Sequence, residues 1–243
     1  MKKVLNLIVY LASASAAFSV NVATDNAANS VYSDGWATGD NGGSGFGAWT
    51  ITSSPNGGFS GTFIGNSVAG PANPDFGIYS GGNSNASLLA RRPFTGGAMA
   101  VGDRFSVNLA HTQTINGQIG LSLLSGTTSR WTLKFVGGGT NWLINDGGSD
   151  FSSGQAYAAD TSLSFSFTYN GGSSYSYVFG AGSGNNYTAT ADISNIDGVQ
   201  FFSTNQGADQ NMTFNNLAVP EPSSASLLTF ALSGLLALRR RKA

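Results

Sequence analysis

The 243-residue chain contains no cysteine. Disulfides, zinc–thiolate sites, iron–sulfur clusters and thiol nucleophiles are therefore excluded, and stability must come from a packed core. Glutamate is almost as scarce, since Glu221 is the only one. Glycoside hydrolysis needs two carboxylates flanking the scissile bond, so between residues 18 and 218 only aspartates could serve. Most of these stand in turn sequences: Asp34-Gly35, Asp40-Asn41-Gly42, Asp146-Gly147 and Asp197-Gly198. Aspartate favours such places because its side chain bonds nearby backbone amides. His111 is the only histidine, and no Gly-x-Ser-x-Gly elbow accompanies it. It closes a strand pattern through Phe105, Val107 and Leu109, which places it at the exposed strand end. Positive charge is also sparse. Residues 18–218 hold five cations (Arg91, Arg92, Arg104, Arg130, Lys134) against eleven aspartates, a balance near −6. Nucleic acid, which needs a basic face, is excluded as a partner.

Long apolar runs are confined to the two ends. Met1-Lys2-Lys3 is followed by an apolar stretch over residues 4–11 and by Ala12-Ser13-Ala14-Ser15-Ala16-Ala17. A positive start, a short apolar segment and small-x-small frames form a secretory signal peptide over 1–17. Its partners are the Sec export machinery and signal peptidase. At the other end, Val219-Pro220-Glu221-Pro222 precedes an uncharged run over 225–238 and then Arg239, Arg240, Arg241 and Lys242. Proline on both sides of Glu221 keeps the tripeptide out of helices and central strands. Residues 223–238 would rise about 24 Å as a helix, slightly less than a usual bilayer span. The four cations form a cytoplasmic stop. These features predict a single transmembrane helix in the inner membrane.

The order tripeptide, apolar helix, arginine cluster resembles the PEP-CTERM sorting signal of Gram-negative bacteria. The resemblance covers residues 219–243. It implies that Pro220, Glu221 and Pro222 are recognised by an exosortase, a membrane-embedded cysteine transpeptidase. It also implies export, transient anchoring, processing near the tripeptide, and release to the cell surface or an exopolysaccharide matrix.

Between the two signals the pattern is period two, punctuated by glycine. Leu163, Phe165, Phe167 and Tyr169 alternate with polar residues, Asn170-Gly171-Gly172 turns the chain, and Tyr175, Tyr177 and Phe179 alternate again. This is a hairpin with one apolar face. A second runs through Ile119, Leu121 and Leu123, turns at Ser125-Gly126-Thr127 and returns through Trp131, Leu133 and Phe135. Further strands are predicted at 48–52, 58–64, 76–80, 87–92, 104–110, 141–145, 187–191, 199–203 and 212–217. No amphipathic helix interrupts them. Strands at this spacing predict an all-β, antiparallel two-sheet sandwich or jelly roll over 18–218. Tyr32 to Trp36, Gly45 to Trp49, Phe135 to Gly139 and Phe214 to Leu217 resemble segments of exported β-domains that precede this sorting signal. Such domains are similar in architecture to concanavalin-like lectin sandwiches.

Candidate sites in the sandwich are few. Trp131 and Trp142 alternate in phase with core residues. Trp36 and Trp49 flank the glycine-rich stretch 39–47 and are better candidates than these for an exposed sugar platform, although core packing is the favoured reading for them too. Asp34 and Asp40, and Asp146 and Asp150, lie in oxygen-rich loops of the kind that hold a structural calcium, although neither loop matches a known calcium repeat. Thr50-Ile51-Thr52, Thr112-Gln113-Thr114 and Thr188-Ala189-Thr190 are the pairs an ice-binding face would need. The function expected is a non-catalytic surface or matrix protein that binds polysaccharide. The alternatives are an aspartate-dependent carbohydrate-active enzyme, a structural or adhesive matrix component, and an ice-binding protein.

Overall fold

The computed structural model describes residues 23–66, 74–82, 85–114, 116–206 and 210–219. The segments expected to form a signal peptide (1–17) and a transmembrane helix, with the tripeptide and the arginine cluster, lie outside them. Among the described residues no helix is long and apolar enough to cross a membrane.

Fifteen strands are formed among these residues: β1 (Ala23–Asp25), β2 (Thr50–Ser54), β3 (Phe59–Gly65), β4 (Asp75–Gly81), β5 (Ser87–Pro93), β6 (Arg104–His111), β7 (Gln118–Ser125), β8 (Thr128–Val136), β9 (Asn141–Asn145), β10 (Phe151–Ala156), β11 (Leu163–Gly171), β12 (Ser174–Phe179), β13 (Gly182–Thr188), β14 (Gly198–Thr204) and β15 (Asn211–Val219). They make the expected antiparallel sandwich. One sheet runs β13-β12-β11-β6-β15-β4-β3, with β1 added beside the end of β15, and the other runs β10-β9-β8-β7-β14-β5-β2. Both predicted hairpins are present, with Phe167 opposite Tyr177 and Leu121 opposite Leu133.

The inward faces meet as an aromatic core. Trp131 of β8 lies 5.5 Å from Phe165 and 5.3 Å from Phe167 of β11, and Trp142 of β9 lies 5.1 Å from Phe179 of β12. Phe201 and Phe214 stack across the sheets at 3.6 Å. All seven are 1% exposed or less, so the period-two alternation places them correctly. Offset and edge-on rings of this kind add to the burial of apolar surface.

The two open sides of the sandwich are closed differently. On one side the chain steps directly from β2 to β3, and the Ser53 and Ser60 hydroxyls meet at 2.6 Å. On the other, β10 and β13 approach through glycine. A Cβ at Gly182 would lie 2.1 Å from the Ser153 carbonyl. The Tyr177 hydroxyl donates to that same carbonyl at 3.1 Å, and the Ala181 amide donates to Gln155 Oε1 at 2.7 Å. These contacts cover edges that would otherwise template further strands.

Candidate functional site

The sandwich ends where the sorting sequence begins. β15 carries a bulge between Asn215 and Ala218, with Asn216 at a positive φ of 55°. Before the bulge β15 pairs with β4, and after it with β1, matching Asp25 to Leu217 and Ala23 to Val219. Leu217 and Val219 are buried. The described chain therefore starts and finishes at one corner, and Pro220 follows directly on a core strand.

A buried ion pair holds that corner. On β5 the inward positions are Leu88, Ala90 and Arg92. Arg92 Nη1 pairs with Asp25 Oδ2 of β1, both side chains being fully buried. The guanidinium also donates from Nε to Gly47 O at 2.6 Å and from Nη2 to Gly42 O at 2.6 Å and Asn41 Oδ1 at 2.7 Å. It lies over the Phe46 ring at 5.0 Å and the Trp49 ring at 5.2 Å. The Tyr32 hydroxyl donates to Asp25 Oδ2 at 2.6 Å and accepts from Trp49 Nε1 at 3.1 Å. Burial and the adjacent Asp25 carboxylate push the Tyr32 phenol up to about 12, so it remains a donor. Sequence reasoning assigned no role to Asp25 or Arg92. The available signal was an arginine in phase with Leu88 and Ala90, since an inward arginine requires a buried acceptor.

Several sequence-based candidates are corrected. Trp36 and Trp49 form no exposed platform: they are 4% and 1% exposed and pack edge-on at 4.9 Å against each other, with Phe76 and Phe214 alongside. The glycine-rich stretch between them folds inward around Arg92 and so buries both rings. The calcium candidates do not converge. Asp34 and Asp40 precede β2, at one edge of the seven-stranded sheet, whereas Asp146 and Asp150 lie between β9 and β10 at the opposite edge. Asp40 accepts from the Ala37 amide at 2.8 Å, Asp146 from the Tyr175 hydroxyl at 2.9 Å, and Asp150 pairs with Lys134 at 2.7 Å. Among the described residues no three acidic or histidine side chains gather as a metal site would require. The Thr-x-Thr segments fall in three separate places, at β2, after β6 and at the end of β13, and build no common face.

His111 is also corrected. It is buried, 4.9 Å from the Tyr157 ring and 5.4 Å from Trp142. Its Nδ1 lies 2.8 Å from the Thr112 carbonyl, which sets that nitrogen as the donor, and Nε2 has no hydrogen-bond partner. Burial lowers its pKa. As pH falls below about 6.5 the unfolded chain takes up the proton first. His111 thus contributes stability that is complete above that pH and lost as the pH drops toward the folded-state value. Urea midpoints measured between pH 7.5 and 5.5 should fall in the native chain. The decline should be markedly shallower in His111→Gln, whatever the offset of that variant.

The outer face of the eight-stranded sheet carries a feature that sequence reasoning missed. On β3 and β4 each outward aromatic stands opposite a glycine: Phe59 opposite Gly81, Gly61 opposite Tyr79, Phe63 opposite Gly77. The rings lie down on those glycines. A Cβ at Gly77 would sit 2.1 Å from Phe63 Cζ and one at Gly61 2.4 Å from the Tyr79 hydroxyl; one at Gly81 would first meet the Gln206 carbonyl at 2.1 Å, with Phe59 Cζ at 2.9 Å. Tyr79 is 6.2 Å from Phe59 and 6.3 Å from Phe63, with the planes fanned by 41° and 32°. Phe59 is 38% exposed and the other two are half-buried. The signal was present as Phe-x-Gly-x-Phe and Gly-x-Tyr-x-Gly, but only the strand register brings the two together.

Residues 218–242 match the PEP-CTERM protein-sorting motif. The chain is thus an all-β sandwich protein that carries a PEP-CTERM signal, which implies an exported protein sorted by an exosortase and anchored transiently through its C-terminal region. No curated protein matches the sequence. The fold is similar to that of the cellulose-induced protein Cip1, at a TM-score of 0.53 and 12% identity over 81% of this chain and 96% of that one. It is also similar to a carbohydrate esterase from the Shiga toxin-encoding bacteriophage phi24B, at 0.50 and 10% identity over 71% and 90%. At such identities the likeness is one of fold.

Proposed function

We propose that this protein is a non-catalytic, carbohydrate-binding component of the cell surface or exopolysaccharide matrix. In this reading the Sec machinery exports the chain and signal peptidase removes residues 1–17. The C-terminal run then holds a single-pass precursor in the inner membrane of a Gram-negative cell until an exosortase releases it. The observation that carries the proposal is the sorting motif, placed immediately after a buried core strand. The non-catalytic part is supported by the engagement of the aspartates: Asp25 with Arg92, Asp146 with Tyr175, Asp150 with Lys134, and Asp40 and Asp192 in their own turns. The test is the intact mass of the protein recovered from the matrix of producing cells. A species lacking both end segments but retaining Val219 is expected. A full-length mass, or confinement to the cytoplasm, would overturn the proposal.

A further inference from the structure

We infer that the outer face of β3 and β4 is a binding platform for a neutral polysaccharide chain, with Phe59, Tyr79 and Phe63 as its stacking surface. This rests on the carbohydrate-binding reading above and gives it a location. Three observations support it. First, the rings are laid flat. Glycine beneath each one removes the Cβ that would lift it, so one side rests on backbone while part of the ring stays in water. A pyranose has an apolar C–H face and a rim of hydroxyls, and an amphipathic ring surface with polar neighbours matches both parts. Second, the three rings form a row whose successive spacings of 6.2 and 6.3 Å span more than one sugar unit. A chain of sugars therefore fits better than a monosaccharide.

Third, the face is uncharged. The outward residues of β3 are Phe59, Gly61, Phe63 and Gly65, and those of β4 are Gly77, Tyr79, Gly81 and Asp75. Asp75, the single Asp, Glu, Lys, Arg or His in these rows, is fully buried. On β15 the next outward positions are Asn211 and Thr213. A polyanion would meet no cation here, whereas sugar hydroxyls would meet the Asn211 amide. The Thr213 hydroxyl, opposite Gly77, is buried without a hydrogen-bond partner. Aromatic rings over glycine also stabilise edge strands in their own right, so the test must separate binding from folding.

The test is native affinity electrophoresis of the full chain in detergent, through gels holding hydroxyethyl cellulose, laminarin, galactan or alginate. At least one neutral polymer should retard the chain and alginate should not. Phe59→Ala and Tyr79→Ala should each weaken binding by about threefold to tenfold, with melting temperature measured alongside. Tyr79→Phe keeps the ring and should bind nearly as the native chain. If Tyr79→Ala unfolds, Phe59→Ala and Tyr79→Phe decide. The inference is overturned if no neutral polymer retards the chain, if alginate alone does, or if the alanine variants bind like the native chain. It is also overturned if the Phe59→Ala change only converts a dimer to a monomer, which would make the face a self-association surface. Binding to the producing cells' own exopolysaccharide that the alanine variants leave intact would remove this site while leaving the carbohydrate-binding reading in place.

Discussion

Replacing Arg92 by methionine is expected to destabilise the sandwich by about 3–5 kcal/mol, because it strands the Asp25 carboxylate in the core. Methionine retains the length and apolar bulk of the side chain, so the loss isolates the charge. The guanidinium also saturates two backbone carbonyls, Gly42 and Gly47, which lose their donor in the variant. The damage should be local at first. Asp25 holds β1, and β1 pairs with the last residues of β15, so limited proteolysis should cut first near residues 23–30. In the double variant Asp25→Leu with Arg92→Met neither charge remains, and part of the stability should return. Urea denaturation of the native chain and both variants measures this. A loss below about 1 kcal/mol in Arg92→Met would contradict a closed, dry pair, since exposed pairs contribute that little.

Replacing Glu221 by alanine is expected to leave export and membrane insertion intact while abolishing release. Glu221, the sole glutamate of the chain, is the only charged group of the tripeptide. The fold adds a constraint. Leu217 and Val219 are buried and paired with Asp25 and Ala23, so no spacer separates the sandwich from the tripeptide. An enzyme working at the membrane surface must therefore take its substrate at or beyond Val219. Fractionation with an antibody to the sandwich should find native protein outside the cell and Glu221→Ala protein in the membrane at full length. Normal release of the variant would refute recognition through the tripeptide.

Much of the sandwich was legible because its long strands are half-buried, and a half-buried strand alternates. The strands through Phe165, Tyr177, Leu121 and Trp131 declare their inward face in the sequence. What escaped was set by tertiary contact. β1 is three residues long, too short for any period, and exists through its pairing with β15 and the Asp25–Arg92 bond. β10 is mostly polar and contains Gly154 at a φ of 81°. β13 was expected at 187–191 and lies at Gly182–Thr188, because glycine at 182 and 184 is what lets this edge approach its neighbours.

The candidate sites were less legible than the strands. Trp36 lies outside any predicted strand, and Trp49 lies near the start of the one predicted at 48–52, which begins at Thr50, so no period-two run marked either as core. The calcium expectation rested on two separate oxygen-rich loops, and sequence alone does not show the partners their aspartates take in the fold: the Ala37 amide, the Tyr175 hydroxyl and Lys134. The stacking row needs two strands in register, information that neither strand carries alone. The sorting signal is the opposite case: its parts are contiguous and its chemistry is written in order, so it could be read without any fold.

The most direct measurement is co-sedimentation of the processed protein with the exopolysaccharide of the cells that make it, with and without a calcium chelator. Saturable binding is predicted, and it should survive chelation, because Asp40 accepts within its own turn, Asp146 accepts from a tyrosine and Asp150 pairs with a lysine. Absence of binding in both conditions would contradict the carbohydrate-binding account and leave the exported sandwich as a structural component of the matrix.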